Sequence, residues 1–397
     1  MQTKRACPIC KSFNSKSMLT SELKAFDGSI LPLNIQIAEC MACGFVFNDD
    51  PIDEQALNQF YTIENYYYTE GSFGTGGSDF ARYKNYVEFL KPFLQRADAI
   101  VDVGCGKGQF VKYLIDNGFV NASGVELDKR MVEIATKQGI PVHEGSAFGF
   151  SSYNDDSIDL MIYTHVFEHL LDPDSVIRQA NQYLKTNGLL FIEVPNALNY
   201  SEARVFDFFW LATIEHINHF SSHYLELLLT RHGFELITKS EMTIPFNNPS
   251  YGYPSLKMLF RKKQAQQYMT GQPEYHEQLR NRMCDHINTE NEYLTKHRQM
   301  LQAFKDSKAK LYIWGIGIEF FILSTFTELL NCNVQSLLDK NQDKHGRTVS
   351  GIRIVSPKQI QKAAADATVL LTSVFNQIPM QEYLREISFS GSIIIIT

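Results

Sequence analysis

The stretch Ala99-Ile-Val-Asp102-Val-Gly104-Cys-Gly106-Lys-Gly108-Gln-Phe-Val-Lys-Tyr-Leu114 decides the fold. A short β-branched run passes into a glycine-rich turn and then into an amphipathic helix, the opening βα unit of a doubly wound α/β sheet. Glycines at alternate positions let a ligand reach the backbone where no Cβ stands in the way. The turn reads Asp-x-Gly-x-Gly-x-Gly, not the Gly-x-Gly-x-x-Gly that seats a pyrophosphate, which argues against a nicotinamide-binding domain. An acidic residue closes the next strand in Ala122-Ser-Gly-Val-Glu126, 126 − 104 = 22 positions after the first glycine. That distance holds one helix and one strand and places Glu126 over a ribose.

The pattern continues in Asp155-Asp-Ser-Ile-Asp159-Leu-Met-Ile-Tyr-Thr-His165-Val-Phe-Glu168-His169-Leu and in Gly188-Leu-Leu-Phe-Ile-Glu-Val-Pro195-Asn196. Over residues 96–240 the chain resembles the class I S-adenosylmethionine-dependent methyltransferases. The resemblance implies a Rossmann-like α/β domain whose turn (Asp102, Gly104, Gly106, Gly108) meets the amino-acid end of the cofactor. It also implies that Glu126 binds the ribose hydroxyls, that Ser146 and Ala147 stand near the adenine, and that His165 flanks the site. Where many members carry an Asp near the adenine, this chain has Gly145-Ser146-Ala147. His165 and His169, spaced four apart with Glu168 beside them, are read as one helical face that packs or flanks the cofactor, with a second metal as the minor alternative.

Four of the seven cysteines fall as Cys7-Pro-Ile-Cys10 and Cys40-Met-Ala-Cys43-Gly44. The two-residue gap lets both thiolates of a pair face one tetrahedral ion, so a structural Zn2+ site is expected, with a redox pair or coincidence as alternatives. Four thiolates would leave no place for water, and the task of such a metal is to fold a small segment.

After the fifth strand comes Phe206-Asp-Phe-Phe-Trp-Leu-Ala-Thr-Ile-Glu215-His216-Ile-Asn-His219-Phe220-Ser221, then a helix bounded by Ser221 as N-cap and Gly233 past its end. The polar cluster thus falls in a loop at the carboxyl edge of the sheet, where doubly wound proteins bind ligands. With the cysteine pairs before it and a third segment behind it, this loop resembles that of the zinc-containing deoxysugar C-methyltransferases, which act on nucleotide-linked keto sugars. Their loop usually reads Tyr-His-Glu-His; here Thr213-Ile214-Glu215-His216 keeps the carboxylate and the last imidazole. The resemblance implies His216 as base, Glu215 as its orienting partner and Tyr68, from Tyr66-Tyr67-Tyr68, facing a developing enolate oxygen. O- or N-methylation of a related metabolite is the alternative reading. A zinc-ribbon RNA methyltransferase is a more distant one.

Prolines 245, 249 and 254 with Asn247, Asn248, Gly252 and Gly271 read as an irregular stretch. Leu279, Met283, Ile287, Leu294, Leu301 and Phe304 then recur at helical spacing as a core-facing stripe. A second strand–glycine–helix unit begins at Lys310-Leu-Tyr-Ile-Trp-Gly315-Ile-Gly317-Ile-Glu-Phe320, and Asp339 ends its next strand. Phe320 replaces the third glycine. The last part resembles the family's C-terminal Rossmann-like domain, to which shaping of the nucleotide-sugar site or simple buttressing is ascribed. The expected organisation is a zinc-binding segment at 1–60, a helical connector at 61–95, the methyltransferase domain at 96–240, an irregular and helical linker at 241–307 and the Rossmann-like domain at 308–397.

At 397 residues the chain exceeds one ordinary domain of about 100–200 residues. A net charge of −7 is the wrong sign for binding by neutralised phosphates, so no nucleic acid partner is expected. The first residues lack the apolar stretch of a signal peptide, and no window of about 18 apolar residues occurs, so a cytoplasmic protein without membrane association is expected. Its expected partner is a small nucleotide sugar, and its state a monomer or homodimer.

Overall fold

The computed structural model describes residues 4–29, 34–50, 77–203, 205–213, 215–245, 252–263, 275–362, 367–374 and 376–396. Tyr66, Tyr67, Tyr68, Ile214, Asn247, Asn248, Pro249 and Gly271 lie outside them. No helix among the described residues is long and apolar enough to cross a membrane.

The first sheet contains β1 (Ser15–Glu22), β2 (Asn34–Cys40) and β3 (Val46–Asn48). Helix α1 (Gly77–Leu90) leads into the central sheet, whose first half alternates β4 (Ile100–Val103), α2 (Gln109–Asp116), β5 (Ala122–Glu126), α3 (Lys129–Lys137) and β6 (Val142–Glu144). β4 is buried along its length, as a strand covered on both faces by helices must be. Asp128 caps α3, its carboxylate accepting from the Arg130 amide at 2.9 Å. The second half comprises β7 (Ile158–Thr164), α4 (Pro173–Tyr183), β8 (Leu184–Pro195), the short α5 (Phe209–Ala212), α6 (Ser222–Arg231), β10 (Phe234–Pro245) and β11 (Gly252–Lys262), while β9 (Asn218–His219), between α5 and α6, joins the first sheet beside β3. Strand order across this sheet is β10-β11-β8-β7-β4-β5-β6. β4 to β8 run parallel, whereas β11 is antiparallel to both β8 and β10.

Two expectations are corrected here. The stretch containing Pro245, Gly252 and Pro254 is not an irregular linker: β10 and β11 pair from Phe234↔Lys262 to Pro245↔Gly252, and β11 occupies an inner position of the central sheet. Side chains from Gly252 to Phe260 are buried, and that burial overrides the turn signal of the prolines. His165 and His169 do not share a helical face. β7 ends at Thr164, His165 adopts φ 57°, and only a 3-10 turn, Phe167–His169, follows. The helix expected between Ser221 and Gly233 is present, with Gly233 at φ 82°.

Helix α7 (Gln278–Ser307) buries the expected Leu279, Met283, Leu294 and Leu301, and also His286, Glu290 and His297. The polar members have partners on the loop after β8: Glu290 accepts from the Phe208 amide at 2.7 Å, and His297 bonds Asp207. The last sheet has the order β14-β15-β13-β12-β16-β17, built from β12 (Leu311–Trp314), β13 (Val334–Leu338), β14 (Thr348–Val349), β15 (Ile352–Val355), β16 (Thr368–Leu371) and β17 (Ser392–Ile395). Only β14 is antiparallel. Helices α8 (Ile318–Phe326) and α9 (Gln377–Glu386) accompany it.

Candidate active site

The glycine turn after β4 has three distinct spatial demands. Gly104, Gly106 and Gly108 all have positive φ, between 55° and 77°. A Cβ on Gly104 would stand 2.8 Å from Val166 Cγ2, and one on Gly108 2.8 Å from Ile140 Cγ2, so those two are required by packing. A Cβ on Gly106 would meet nothing within 4 Å. Its side faces open space, as expected where a ligand lies against the backbone. Glu126 is held at this opening by two amides: Gly106 N–H donates to Oε2 at 2.8 Å and Asp128 N–H to Oε1 at 2.9 Å. Burial raises its pKa and these hydrogen bonds pull it back. Asp102 is 2% exposed, and its Oδ1 has no partner. Burial, and then the charge of Glu126, pushes its carboxyl up to about 8. An unpartnered carboxylate oxygen beneath an open glycine turn suits the ammonium of an amino acid. The turn 145–149 abuts this edge, Gly145 N–H donating to the Glu126 carbonyl at 3.0 Å and Ser146 bridging to Gly149. Ser146 and Ala147 therefore lie on the Glu126 side of the site. The residues present fit the donor that the turn implies.

His165 follows β7 and faces a polar group that sequence reasoning left without a role. Its Nε2 lies 3.1 Å from Arg82 and 3.5 Å from Glu193, and its Nδ1 3.4 Å from both Tyr253 and Glu168. Glu193 is fully buried and accepts from the Tyr86 and Ser255 hydroxyls. The signal for Glu193 was legible, a carboxylate within the apolar run Leu189-Leu-Phe-Ile-Glu-Val-Pro195. Tyr253 and Ser255 were hidden by the misread hairpin.

On the other side of His165 stand Glu168, His169, Glu215 and His216. His169 Nδ1 lies 2.9 Å from the Glu215 carbonyl; a carbonyl only accepts, so Nδ1 carries the proton and Nε2 the lone pair. The rings of His169 and His216 are 5.0 Å apart. Burial pushes the carboxyls of Glu168 and Glu215 each up to about 7 and drives His216 well below the usual imidazole range. His216 Nδ1 is buried without a hydrogen-bond partner, so Glu215 does not orient it through that nitrogen as expected. Glu215 acts on His169 instead, through its backbone. Tyr68 lies outside the described residues.

This cluster is tied together by the amino-terminal segment. β9, which follows His216, pairs with β3 at Val46↔His219 and Phe47↔Asn218. Arg5 donates to the carbonyls of Ile217 (3.1 Å), Leu170 and Leu171 (both 3.2 Å) and to Asn218 Oδ1 (2.9 Å). Asn218 in turn donates to Phe167 and Leu170 carbonyls, and Ile217 N–H to the Glu168 carbonyl at 2.9 Å. One guanidinium thereby bridges the turn that carries Glu168 and His169 to the loop that carries His216.

The four cysteines Cys7, Cys10, Cys40 and Cys43 are buried, with all sulfurs within 4.8 Å of one another. Cys7 Sγ is 3.7 Å from Cys43 Sγ and Cys10 Sγ 3.4 Å from Cys40 Sγ. Tetrahedral thiolates at about 2.3 Å from zinc sit about 3.8 Å apart, so the set fits a closed tetrahedral metal.

In the last sheet, Gly315 takes φ 106° against Ser373, and Asp339 directly follows β13. Asp339 accepts from the Ile316 amide (3.0 Å), Lys344 (3.0 Å) and the Asn341 amide (2.8 Å). Glu319 Oε2 lies 3.2 Å from where a Cβ of Gly317 would stand, and its buried carboxyl has a raised pKa.

Residues 78–239 match a family model described as a methyltransferase domain, and residues 307–395 one described as C2185-like, N-terminal. A ubiquinone biosynthesis O-methyltransferase of Hydrogenovibrio crunogenus is 29% identical over 155 residues, which cover 36% of this chain and 61% of that protein. The phosphoethanolamine N-methyltransferase 3 of Arabidopsis thaliana is 27% identical over 128 residues, 31% of this chain and 25% of that protein. A solved S-adenosylmethionine-dependent methyltransferase of Thermotoga maritima, a possible histamine N-methyltransferase, aligns at 24% identity with a TM-score of 0.37, covering 46% of this chain and 89% of its own. The chain spans less than two thirds of either curated relative. It carries a class I S-adenosylmethionine-dependent methyltransferase domain.

Proposed function

We propose that the protein transfers the methyl group of S-adenosylmethionine to a small polar acceptor, and that the acceptor is a nucleotide-linked keto-deoxysugar methylated at carbon. The observation that carries this reading is an open cradle (Gly106, Glu126, Asp102) next to a histidine–carboxylate cluster (Glu168, His169, His216), Val166 of the segment that carries the cluster abutting Gly104 of the cradle turn. S-adenosylmethionine brings an already activated methyl, so the chain has to align the acceptor with the sulfonium and remove a proton. Glu126 would hold the ribose and Asp102 the ammonium. His216, kept neutral by burial, would take the acceptor's proton as the new carbon–carbon bond forms. A second reading, transfer to oxygen or nitrogen, is favoured by relatives named as O- and N-methyltransferases.

The four cysteines would hold a structural zinc ion, which leaves no open coordination position. Its consequence for the reaction is mechanical: it fixes the segment from which Arg5 reaches the His216 loop. The C-terminal sheet, in this reading, buttresses the acceptor side.

The test incubates the protein and methyl-13C-labelled S-adenosylmethionine with a panel of nucleotide keto sugars and follows the label by NMR. The expected product carries a new carbon–carbon bond, and His216→Ala abolishes turnover with S-adenosylmethionine affinity nearly intact. Label on oxygen or nitrogen would install the second reading, and near-normal turnover in His216→Ala would remove the base.

A further inference from the structure

Among the described residues, two groups bring ligand atoms within 4.8 Å of one another: the four cysteines, and Glu168, His169 and His216. The second group has features that proton removal by one imidazole does not explain. Glu168 is 1% exposed, yet neither carboxylate oxygen accepts a hydrogen bond. Its charged neighbours are imidazoles, His165 Nδ1 at 3.4 Å and His169 Nε2 at 3.8 Å. A desolvated carboxylate without donors is costly unless a cation faces it. His216 contributes a buried Nδ1 without a partner. His169 has its remote nitrogen tied to the Glu215 carbonyl, which fixes the tautomer and leaves Nε2 toward Glu168. That is how imidazoles that ligate metals are held, the second ring N–H donating to a carbonyl or carboxylate.

We propose that Glu168, His169 and His216 bind one divalent transition-metal ion beside the methyl-donor pocket, with open coordination positions that take oxygens of the acceptor. Two imidazoles and one carboxylate suit Zn2+, Mn2+ or Fe2+, and three protein ligands leave room for substrate. Metal–ligand bonds of about 2.1 Å place neighbouring ligand atoms about 3.0–3.4 Å apart, and His169 Nε2 stands 3.8 Å from Glu168 Oε1, so the group has to draw together. Rotation of the Glu168 carboxylate, which no hydrogen bond holds, supplies that movement. The backbones already have their places: Glu168 O accepts from Ile217 N–H, and Arg5 and Asn218 bridge the two segments. The spacing of His165 and His169 suggested a different pair. His165 is instead taken up by Arg82 and Glu193, and His216 joins from a distant loop.

The inference rests on the methyltransferase reading only for what the ion does. A bound cation would polarise the acceptor oxygen and acidify the position to be methylated, so that its proton could pass to water; His216 would then hold metal in place of the base role given to it above. Binding itself is separable from that role.

The test titrates the full chain, its four-cysteine site loaded with zinc, with Mn2+ and counts free Mn2+ by electron paramagnetic resonance. Mn2+ prefers nitrogen and oxygen ligands and does not displace zinc from four thiolates. The expected result is one Mn2+ per chain, with affinity at least about tenfold weaker in both Glu168→Gln and His216→Asn, since loss of even an outer-shell partner costs about 10–100-fold. Zinc content and S-adenosylmethionine binding check that each variant is folded. No Mn2+ bound by the wild-type chain, or equal binding in both variants, would overturn the proposal. Methyl transfer at full rate with this site empty would also overturn it and leave the methyltransferase reading standing. One bound ion without transfer to any acceptor would uphold the site and count against that reading.

Discussion

The chain contains the same βα device twice, after β4 and after β12, and the two turns have opposite fates. In the first, Gly106 opens on empty space and Glu126 is gripped only by backbone amides, which hold its carboxylate at the opening. In the second, Asp339 is consumed by the Ile316 amide, the Asn341 amide and Lys344, while Glu319 folds back beside Gly317. A helix N-terminus attracts anions, and in the second turn the chain supplies its own. A strand, a glycine turn and a distal carboxylate thus define a scaffold. Whether the scaffold binds a ligand depends on what already fills it.

The largest difference is expected on removing the distal carboxylates. Glu126→Ala should weaken S-adenosylmethionine at least about 100-fold, because two charge-assisted hydrogen bonds to a ribose are worth about 1.5–3 kcal/mol each. Asp339→Ala should leave that affinity unchanged and instead lower stability by about 1–3 kcal/mol, since it strands buried donors. Calorimetry of binding and of melting separates the two, and equal losses of affinity would erase the contrast.

Next in size is the bridge beneath the histidine–carboxylate group. Arg5→Ala removes a guanidinium that bonds four carbonyls (Asn48, Leu170, Leu171 and Ile217) and the Asn218 side chain, and should lower turnover more than about tenfold with S-adenosylmethionine affinity held. Rescue of neither turnover nor stability is expected from Arg5→Lys, because a single ammonium cannot fork between the 170–171 and 217–218 segments. Turnover at the wild-type level in Arg5→Ala would detach the amino-terminal segment from the reaction.

The smallest effect concerns Asp102. Its folded pKa of about 8 lies above its unfolded value, so the stability it contributes is complete at acid pH and is lost as pH rises through 8. A bound ammonium favours the ionised form, and the melting shift produced by S-adenosylmethionine should therefore grow between pH 6 and pH 8. In Asp102→Asn the shift should lose that slope; an unchanged slope would place the titration elsewhere.

Local patterns carried most of the donor side. The strand–turn–helix after Ala99, Glu126 at the end of its strand and the four cysteines are all readable because each depends on spacing within one short segment. The hairpin β10–β11 was not, since Pro245 and Pro254 break the pattern and only burial inside the sheet restores it. The histidine–carboxylate group was readable as separate pieces and not as a group. His169 and His216 meet because β9, two residues long, pairs with β3 and because Arg5 spans both segments. A two-residue strand has no periodicity to detect, and a guanidinium near the chain start gives no hint of the carbonyls it will find.

The contrast between the turns is tested most directly by calorimetric titration of S-adenosylmethionine into the wild type, Gly106→Ala and Gly317→Ala. One site per chain is expected in the wild type and in Gly317→Ala. In Gly106→Ala, whose added methyl meets no protein atom within 4 Å, affinity should fall at least about tenfold, with a stability cost of about 1 kcal/mol from its φ of 55°. Two sites in the wild type, or undiminished binding in Gly106→Ala with loss in Gly317→Ala, would contradict it.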